Sequence, residues 1–250
     1  MARILITGSA DGLGHLAAKA LVDQGHAVVL HARDERRGAE AHEKIPGAEA
    51  VLTADLASID ETKRLAAKAN ALGRFDAVIH NAAVYRVNAE DIFTVNTLAP
   101  YILTCLIERP KRLIYMSSDM HRQGTAKLES FKTDPGSITY SDSKLHMLLL
   151  AKAVARRWPG VYANAVNPGW VPTKMGGPDA PDDLRDGYET QVWLAITEDP
   201  RAQVTGRYFH NKKEAGYNPE ADDADLQERL VRLCGEITGV SLPPVGVSPV

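Results

Sequence analysis

Short runs of aliphatic and β-branched residues recur along the chain at 3–7 (RILIT), 27–32 (AVVLHA), 48–53 (AEAVLT), 76–81 (DAVIHN), 111–117 (KRLIYMS) and 161–167 (VYANAVN). Each is short and nearly continuous in apolar character, the pattern of a strand buried on both faces. Between them, apolar positions follow helical spacing over 13–24, 35–45, 59–72, 89–108 and 138–158. Parallel strands need crossover connections, which helices usually supply. The alternation therefore predicts an α/β fold, a single Rossmann-type doubly wound parallel sheet with helices on both faces.

Local chemistry agrees with these boundaries. Ser58 followed by Glu61 reads as a capping box opening the third helix, and Pro46-Gly47 closes the second. After Pro168 the alternation weakens into MGGPDAPDDLRDG, then a helix, a last strand at 206–210 (GRYFH) and a C-terminal helix over about 221–237. Residues 1–250 read as one domain, with a loop at about 174–192 and a proline-containing surface tail at about 239–250.

Composition narrows the function classes. Hydrophobic residues make up 44% and charged residues 24%, so a sizeable core can form. The net charge is -3, and Lys and Arg gather only in pairs such as Arg36-Arg37 and Arg156-Arg157, which argues against a nucleic-acid partner. Cys105 and Cys234 fit neither a disulfide framework nor a thiolate metal site, and a reducing cytoplasm is the expected location. The eight histidines have no metal-ligand spacing, so no metal is expected; His121 reads as a surface loop residue rather than a proton shuttle. The N-terminus lacks a signal-peptide core, and the apolar stretch around 145–155, interrupted by His146 and Lys152, is too short to insert in a membrane.

Immediately after the first apolar run comes TGSADGLG, with Gly8, Gly12 and Gly14 leading into helical spacing. Glycines at a strand-to-helix turn let backbone approach a pyrophosphate, and the helix N-terminus offers unpaired amides and a positive dipole end. Gly8, Ser9, Asp11, Gly12, Leu13 and Gly14 are thus candidate dinucleotide contacts; the plainer alternative is a tight turn alone. Tyr140 and Lys144 stand four residues apart, on one face of a helix. An ammonium there favours a phenolate, which an unperturbed tyrosine with a pKa of about 10 does not readily form at neutral pH.

With its TGxxxGxG spacing and downstream YxxxK, the sequence resembles the short-chain dehydrogenase/reductase family over residues 3–210. SSDMHRQG, YSDSKL and VTGRYF look most like its retinol-dehydrogenase-like branch. The resemblance implies an enzyme moving hydride between a nicotinamide cofactor and an alcohol or carbonyl compound. It implies that Tyr140 is the general acid/base, that Lys144 also binds the nicotinamide ribose, that Ser118 holds the reacting oxygen, and that Asn96 joins a water-mediated relay. Ser117 is the weaker candidate of the serine pair. It places Asp55 and Leu56 by the adenine. Asn81, Ala82 and Ala83 fall by the ribose, with His80-Asn81-Ala82-Ala83 standing where the family has NNAG. Pro168, Gly169, Val171 and Thr173 fall against the nicotinamide.

The second strand ends without a carboxylate at His31 or Ala32 and runs into Arg33, so NADP is expected over NAD. Asp34, one residue on, is either a helix cap or a ribose ligand. Residues 119–139 and 174–192 are expected to wall the pocket, with Trp170 and Tyr188 suiting an apolar small-molecule substrate. The resemblance also implies a homodimer through helices at 89–108 and 138–158. Two rival readings are a catalytically silent dinucleotide sensor or scaffold, and a nucleotide-sugar epimerase or dehydratase.

Overall fold

The computed structural model describes residues 1–244. Its strands are β1 (Arg3–Ile6), β2 (Ala27–Ala32), β3 (Ala50–Thr53), β4 (Ala77–His80), β5 (Arg112–Met116), β6 (Tyr162–Asn167), β7 (Tyr208–His210) and β8 (Lys213–Glu214). They form one sheet in the order β3-β2-β1-β4-β5-β6-β7-β8, parallel throughout except for the antiparallel β7–β8 pair. The sequence order runs outward in both directions from β1 and β4, and ligands bind at such a switch point, beyond the carboxyl ends of the strands.

The helices are α1 (Gly12–Asp23), α2 (Glu35–Lys44), α3 (Ile59–Ala71), α4 (Ala89–Phe93), α5 (Ala99–Leu106), α6 (Ser130–Thr133), α7 (Tyr140–Arg157), α8 (Leu184–Ile196) and α9 (Ala224–Thr238). Side chains alternate between two cores, one on each face of the sheet. Leu5, Val78, Leu113 and Tyr115 belong to one, with residues of α3, α5, α7 and α9. Ile4, Ile6, Ile79, Ile114 and Met116 belong to the other, with residues of α1 and α8. Period-two burial on both faces is what the continuous apolar runs encode.

Several boundaries differ from expectation for identifiable reasons. The helix expected over 89–108 is split by a π-helical turn, Thr94–Leu98, just before Pro100. Proline has no N–H to give the carbonyl four residues back, here Asn96, so the ladder changes register. Ser58 does cap α3, but Glu61 reaches the Asp55 amide at 2.7 Å instead of closing the box on Ser58. The complete capping box is Thr139 with Asp142, and it makes Tyr140 the first residue of α7. The β8 strand was not foreseen; Asn211 and Lys212 both take positive φ, as a two-residue hairpin turn requires.

The tail is also not a surface feature over its described part. Val240 and Leu242 are buried, Tyr101 donates to the Val240 carbonyl at 2.8 Å, and the Trp158 indole donates to the Pro243 carbonyl at 2.9 Å. The remainder, 245–250, lies outside the described residues. This docking, together with α9, covers the helices expected to pair with a second copy. All of Asp142 through Val154 on α7 and Ala99 through Cys105 on α5 are buried within the one chain. The outer side of α9 carries ion pairs, Arg229–Glu129, Lys132–Glu236 and Arg232–Glu236, in place of an apolar seam.

Candidate active site

The site is assembled around the turn between β1 and α1. A Cβ on Gly8 would lie 2.8 Å from Ala82 Cα, and one on Gly14 would lie 2.4 Å from Asn81 Nδ2 and 2.5 Å from the Gly8 carbonyl. These glycines let the turn pack against the end of β4. Gly12 differs: its φ is +56°, and a Cβ there would meet nothing within 4 Å. It faces open space at the N-terminus of α1, where backbone amides favour an anion.

Three side chains lock this turn. Asn81 Nδ2 donates to the carbonyls of Thr7 at 3.0 Å and Gly8 at 3.2 Å. Ser9 Oγ donates to the Ile6 carbonyl at 2.9 Å and accepts from the His31 amide at 2.8 Å. His31 Nδ1 accepts from the Gly8 amide at 3.0 Å, so Nε2 carries the proton and donates to the Ala54 carbonyl at 3.1 Å. Burial pushes the His31 pKa down to about 4, which keeps the ring neutral as that pattern demands.

The turn opens onto a cleft of about 480 Å³. Gly8, Asp11, Gly12 and Leu13 line it from the turn, Arg33 from the end of β2, Asp55 and Leu56 from beyond β3, and Asn81, Ala82 and Ala83 from beyond β4. Tyr140 and Lys144 enter from α7, and Pro168 and Thr173 from the segment after β6. The close-packed glycines, the open Gly12 and the basic end of β2 fit a dinucleotide.

Other expected residues stand behind this surface. Ser9 and Gly14 build the turn. Gly169, with φ +79°, would drive a Cβ to 2.6 Å from the Asp182 carboxylate, which accepts from the Trp170 amide at 2.6 Å. Val171 is buried, close to where a Cβ on Gly187 would fall. No residue of 119–139 lines the cleft: Ala126, Leu128, Phe131 and Ile138 pack into the core instead, because the segment has enough apolar positions to bury. Tyr188 packs against the core on the α8 side. Of 174–192, Lys174 and Met175 reach the cleft.

Asn96 is fully buried. Its Oδ1 accepts from the Val84 amide at 2.8 Å, and its Nδ2 donates to the Val84 carbonyl at 3.0 Å and to Ser143 Oγ at 3.1 Å. Ser143 Oγ in turn donates to the Tyr140 carbonyl at 2.7 Å. The side chain thus ties the first turn of α7 to the segment after β4.

Ser117 lines the cleft, but its hydroxyl proton goes to the Lys144 carbonyl at 2.8 Å. Ser118, unlike Ser117, is not among the residues that line the cleft; its Oγ accepts from the Met120 amide at 3.2 Å, an arrangement that leaves its own proton unassigned. His121 is buried rather than on a surface loop. Its Nε2 accepts from the Asn218 amide at 3.0 Å, so Nδ1–H donates to the Ser118 carbonyl at 2.6 Å and fixes the turn that carries Ser118.

The Tyr140 hydroxyl donates to Met175 Sδ at 3.8 Å, and its ring packs against Tyr85 with centroids 4.7 Å apart. Lys144 Nζ lies 5.2 Å from the Tyr140 ring centroid and donates to the Met116 carbonyl at 2.9 Å. Burial raises the Tyr140 pKa above its ordinary value and pushes that of Lys144 down to about 7. The depression of Tyr140 by its lysine neighbour, expected from spacing, is therefore outweighed here by desolvation of both groups.

At the mouth, Asp11 joins three segments. Its Oδ1 accepts from the Gly12 amide at 2.9 Å, while Oδ2 pairs with Lys174 and lies 3.8 Å from Arg37. The Lys174 hydrogen bond holds its carboxyl below the usual range. Asp34 is the cap of α2, accepting from the Arg37 amide at 2.9 Å.

His31, Lys174 and Met175 are cleft residues that the sequence did not single out individually, and of Arg36 and Arg37, both expected to add to the field for a 2′-phosphate, Arg37 lines the cleft. Arg37 lies in the first turn of α2, just after the loop that carries Arg33. The others have no local signature.

A glycine turn at the switch point of a doubly wound sheet, sharing its cleft with a half-buried tyrosine and a buried lysine one helical turn on, belongs to the dinucleotide-dependent oxidoreductases of Rossmann type. The family model for short chain dehydrogenase matches residues 2–183, and the chain belongs to that family. Short-chain dehydrogenase chyC from Penicillium rubens is 48% identical over 97% of this chain and 100% of its own length. Mouse retinol dehydrogenase 14 is 28% identical over 95% of this chain and 86% of its own. A solved protein from Mycobacterium paratuberculosis, 25% identical, superposes with a TM-score of 0.81, covering 97% of this chain and 95% of that one.

Proposed function

We propose that the protein interconverts an alcohol and a carbonyl compound using NADP, with Tyr140 as general acid and base. The observation that carries the reading is the Tyr140 hydroxyl in the same cleft as the glycine turn, with Lys144 one helical turn on. A bound nicotinamide would supply hydride for reduction or accept it in oxidation. In reduction Tyr140 gives its proton to the substrate oxygen, and in oxidation it takes the proton back.

Ser118 is the better partner for the substrate oxygen, because Ser117 has committed its one proton to Lys144 while Ser118 accepts and keeps its own to donate. The Lys144 ammonium spends one proton on Met116 and has two more for ribose hydroxyls. Asn96 fixes the start of α7 through Ser143, and a part in a proton relay is proposed for it on the family resemblance.

NADP is favoured because Arg33 and Arg37 both line the cleft and Asp34 is occupied as a helix cap. A guanidinium pair recognises a 2′-phosphate. The covered faces of α5 and α7 favour a monomer over the dimer implied by the family resemblance. Both cysteines are free and buried, which supports a reducing, cytoplasmic setting.

The test is oxidation of NADPH and NADH with a panel of aldehydes and ketones. Turnover is expected, and Tyr140→Phe should lower kcat by about a hundredfold or more with cofactor affinity little changed. Binding without turnover across the panel would instead favour a sensor.

A further inference from the structure

Among the described residues the exposed large hydrophobic side chains are Met1, Val87, Met120, Trp170 and Met175. Single exposed apolar residues are ordinary, but these are not scattered. Apart from Met1 and Met120, each belongs to a segment bordering the cleft. Val87 and Met175 line it and Trp170 lies between the lining residues Pro168 and Thr173, while Met120, on the turn capped by Ser118, stands apart from the lining.

Met175 is held by a tightly folded turn. The Trp170 indole donates to the Gly176 carbonyl at 2.8 Å, Thr173 Oγ1 accepts from the Gly176 amide at 3.2 Å, and the Gly177 amide donates to the Thr173 carbonyl at 2.8 Å. A Cβ on Gly176 would meet the Val171 carbonyl at 2.1 Å, so the turn closes only with glycine there. It delivers the Met175 thioether to the Tyr140 hydroxyl.

The geometry points to Met175 as the residue that seats the substrate, and to a carbonyl compound with an aromatic or fused-ring body as the class it seats. This inference rests on the carbonyl–alcohol reading above. A thioether is a weak hydrogen-bond acceptor, so a carbonyl oxygen displaces it from Tyr140 readily. Once displaced, an unbranched and polarizable side chain repacks against whatever enters, and sulfur makes favourable contacts with aromatic rings. Tyr85, whose ring packs on Tyr140, and Trp170, whose indole is tied to Gly176 beside Met175, do not themselves line the cleft but are the aromatic neighbours of this position. A small hydrophilic carbonyl compound uses none of this surface and leaves the apolar rim wet.

The experiment compares kcat and KM for 2-acetonaphthone, decanal and glyceraldehyde, at saturating NADPH and at saturating NADH, in the parent, Met175→Ala and Met175→Leu. The parent is expected to favour 2-acetonaphthone in kcat/KM. Met175→Ala should raise KM for 2-acetonaphthone about tenfold with kcat changed much less, the size expected for lost apolar contact in a pocket. Met175→Leu, of similar volume, should recover most of that loss. A parent that favours glyceraldehyde, or a Met175→Ala effect falling on kcat for all three substrates alike, overturns this inference while leaving the carbonyl–alcohol reading intact. No turnover with any carbonyl and either cofactor overturns both.

Discussion

Lys144 does not hydrogen-bond the hydroxyl of Tyr140; its ammonium lies 5.2 Å from the ring centroid and donates to the Met116 carbonyl. The two stand one turn apart on α7, Tyr140 half-buried and Lys144 buried, in a setting where neither charged form is favoured, and the cost of that arrangement falls on stability.

Lys144 titrates near 7 in the folded protein and at 10.5 when unperturbed. Between those values the unfolded chain holds the extra proton, so stability should rise with pH from about 7 toward 10. Lys144→Met should flatten that rise, lose activity, and unfold several degrees above the parent at pH 7. Thermal unfolding at stepped pH checks this; a parent profile as flat as the variant's would refute it.

Four buried histidines, His31, His80, His121 and His146, have their pKa lowered by burial and act in the acid range. Burial lowers the pKa of His31 to about 4, His80 to about 3 and His146 to about 4. Unfolded, each takes up a proton near 6.5, so their contribution is complete above that pH and declines toward the folded values. The unfolding midpoint should fall by roughly 10 °C or more between pH 7 and 5. An unchanged midpoint over that interval would contradict the neutral, hydrogen-bonded rings.

Gly12 and Gly14 should separate binding from folding. Gly12→Ala meets no atom but forces a left-handed φ and fills space at the helix N-terminus. It should cost about 1 kcal/mol of stability, with cofactor affinity falling much more. Gly14→Ala collides with Asn81 and the Gly8 carbonyl, and should cost over about 3 kcal/mol or prevent folding. Urea unfolding and cofactor titration together distinguish the two.

Arg33→Ala and Arg37→Ala should each reduce kcat/KM for NADPH by an amount corresponding to about 1.5–3 kcal/mol, with little effect on NADH. Because Asp11 Oδ2 lies 3.8 Å from Arg37, Asp11→Asn should shift preference further toward NADPH. Parity of the two cofactors in the parent would reject the assignment.

With α5 and α7 buried by α9 and residues 239–244, light scattering at micromolar concentration should read a monomer. Removal of the residues from Ala224 onward should expose Leu148, Leu149 and Tyr101 and yield aggregation or association, visible by the same measurement.

The sequence by itself determined the parallel sheet, though not the antiparallel β8, because continuous apolar runs and helical spacing are local patterns, and it located the glycine turn and the Tyr140–Lys144 pair, whose chemistry resides in short spacings. It also marked Arg33. What only the tertiary structure decided are the joints between distant segments. Asp11 meets Lys174 across 163 positions, Tyr101 holds Val240 across 139, and Met175 reaches Tyr140 across 35. His31 looks like one more strand residue until Gly8 and Ala54 are brought to its two nitrogens. The dimer face is where the sequence decides least, because amphipathic spacing says that a helix buries a face, without saying whether a second copy or the chain's own C-terminal helix covers it. Ser117 and Ser118 are adjacent and alike in sequence, and only the position of the Lys144 carbonyl decides which of them has already given away its proton.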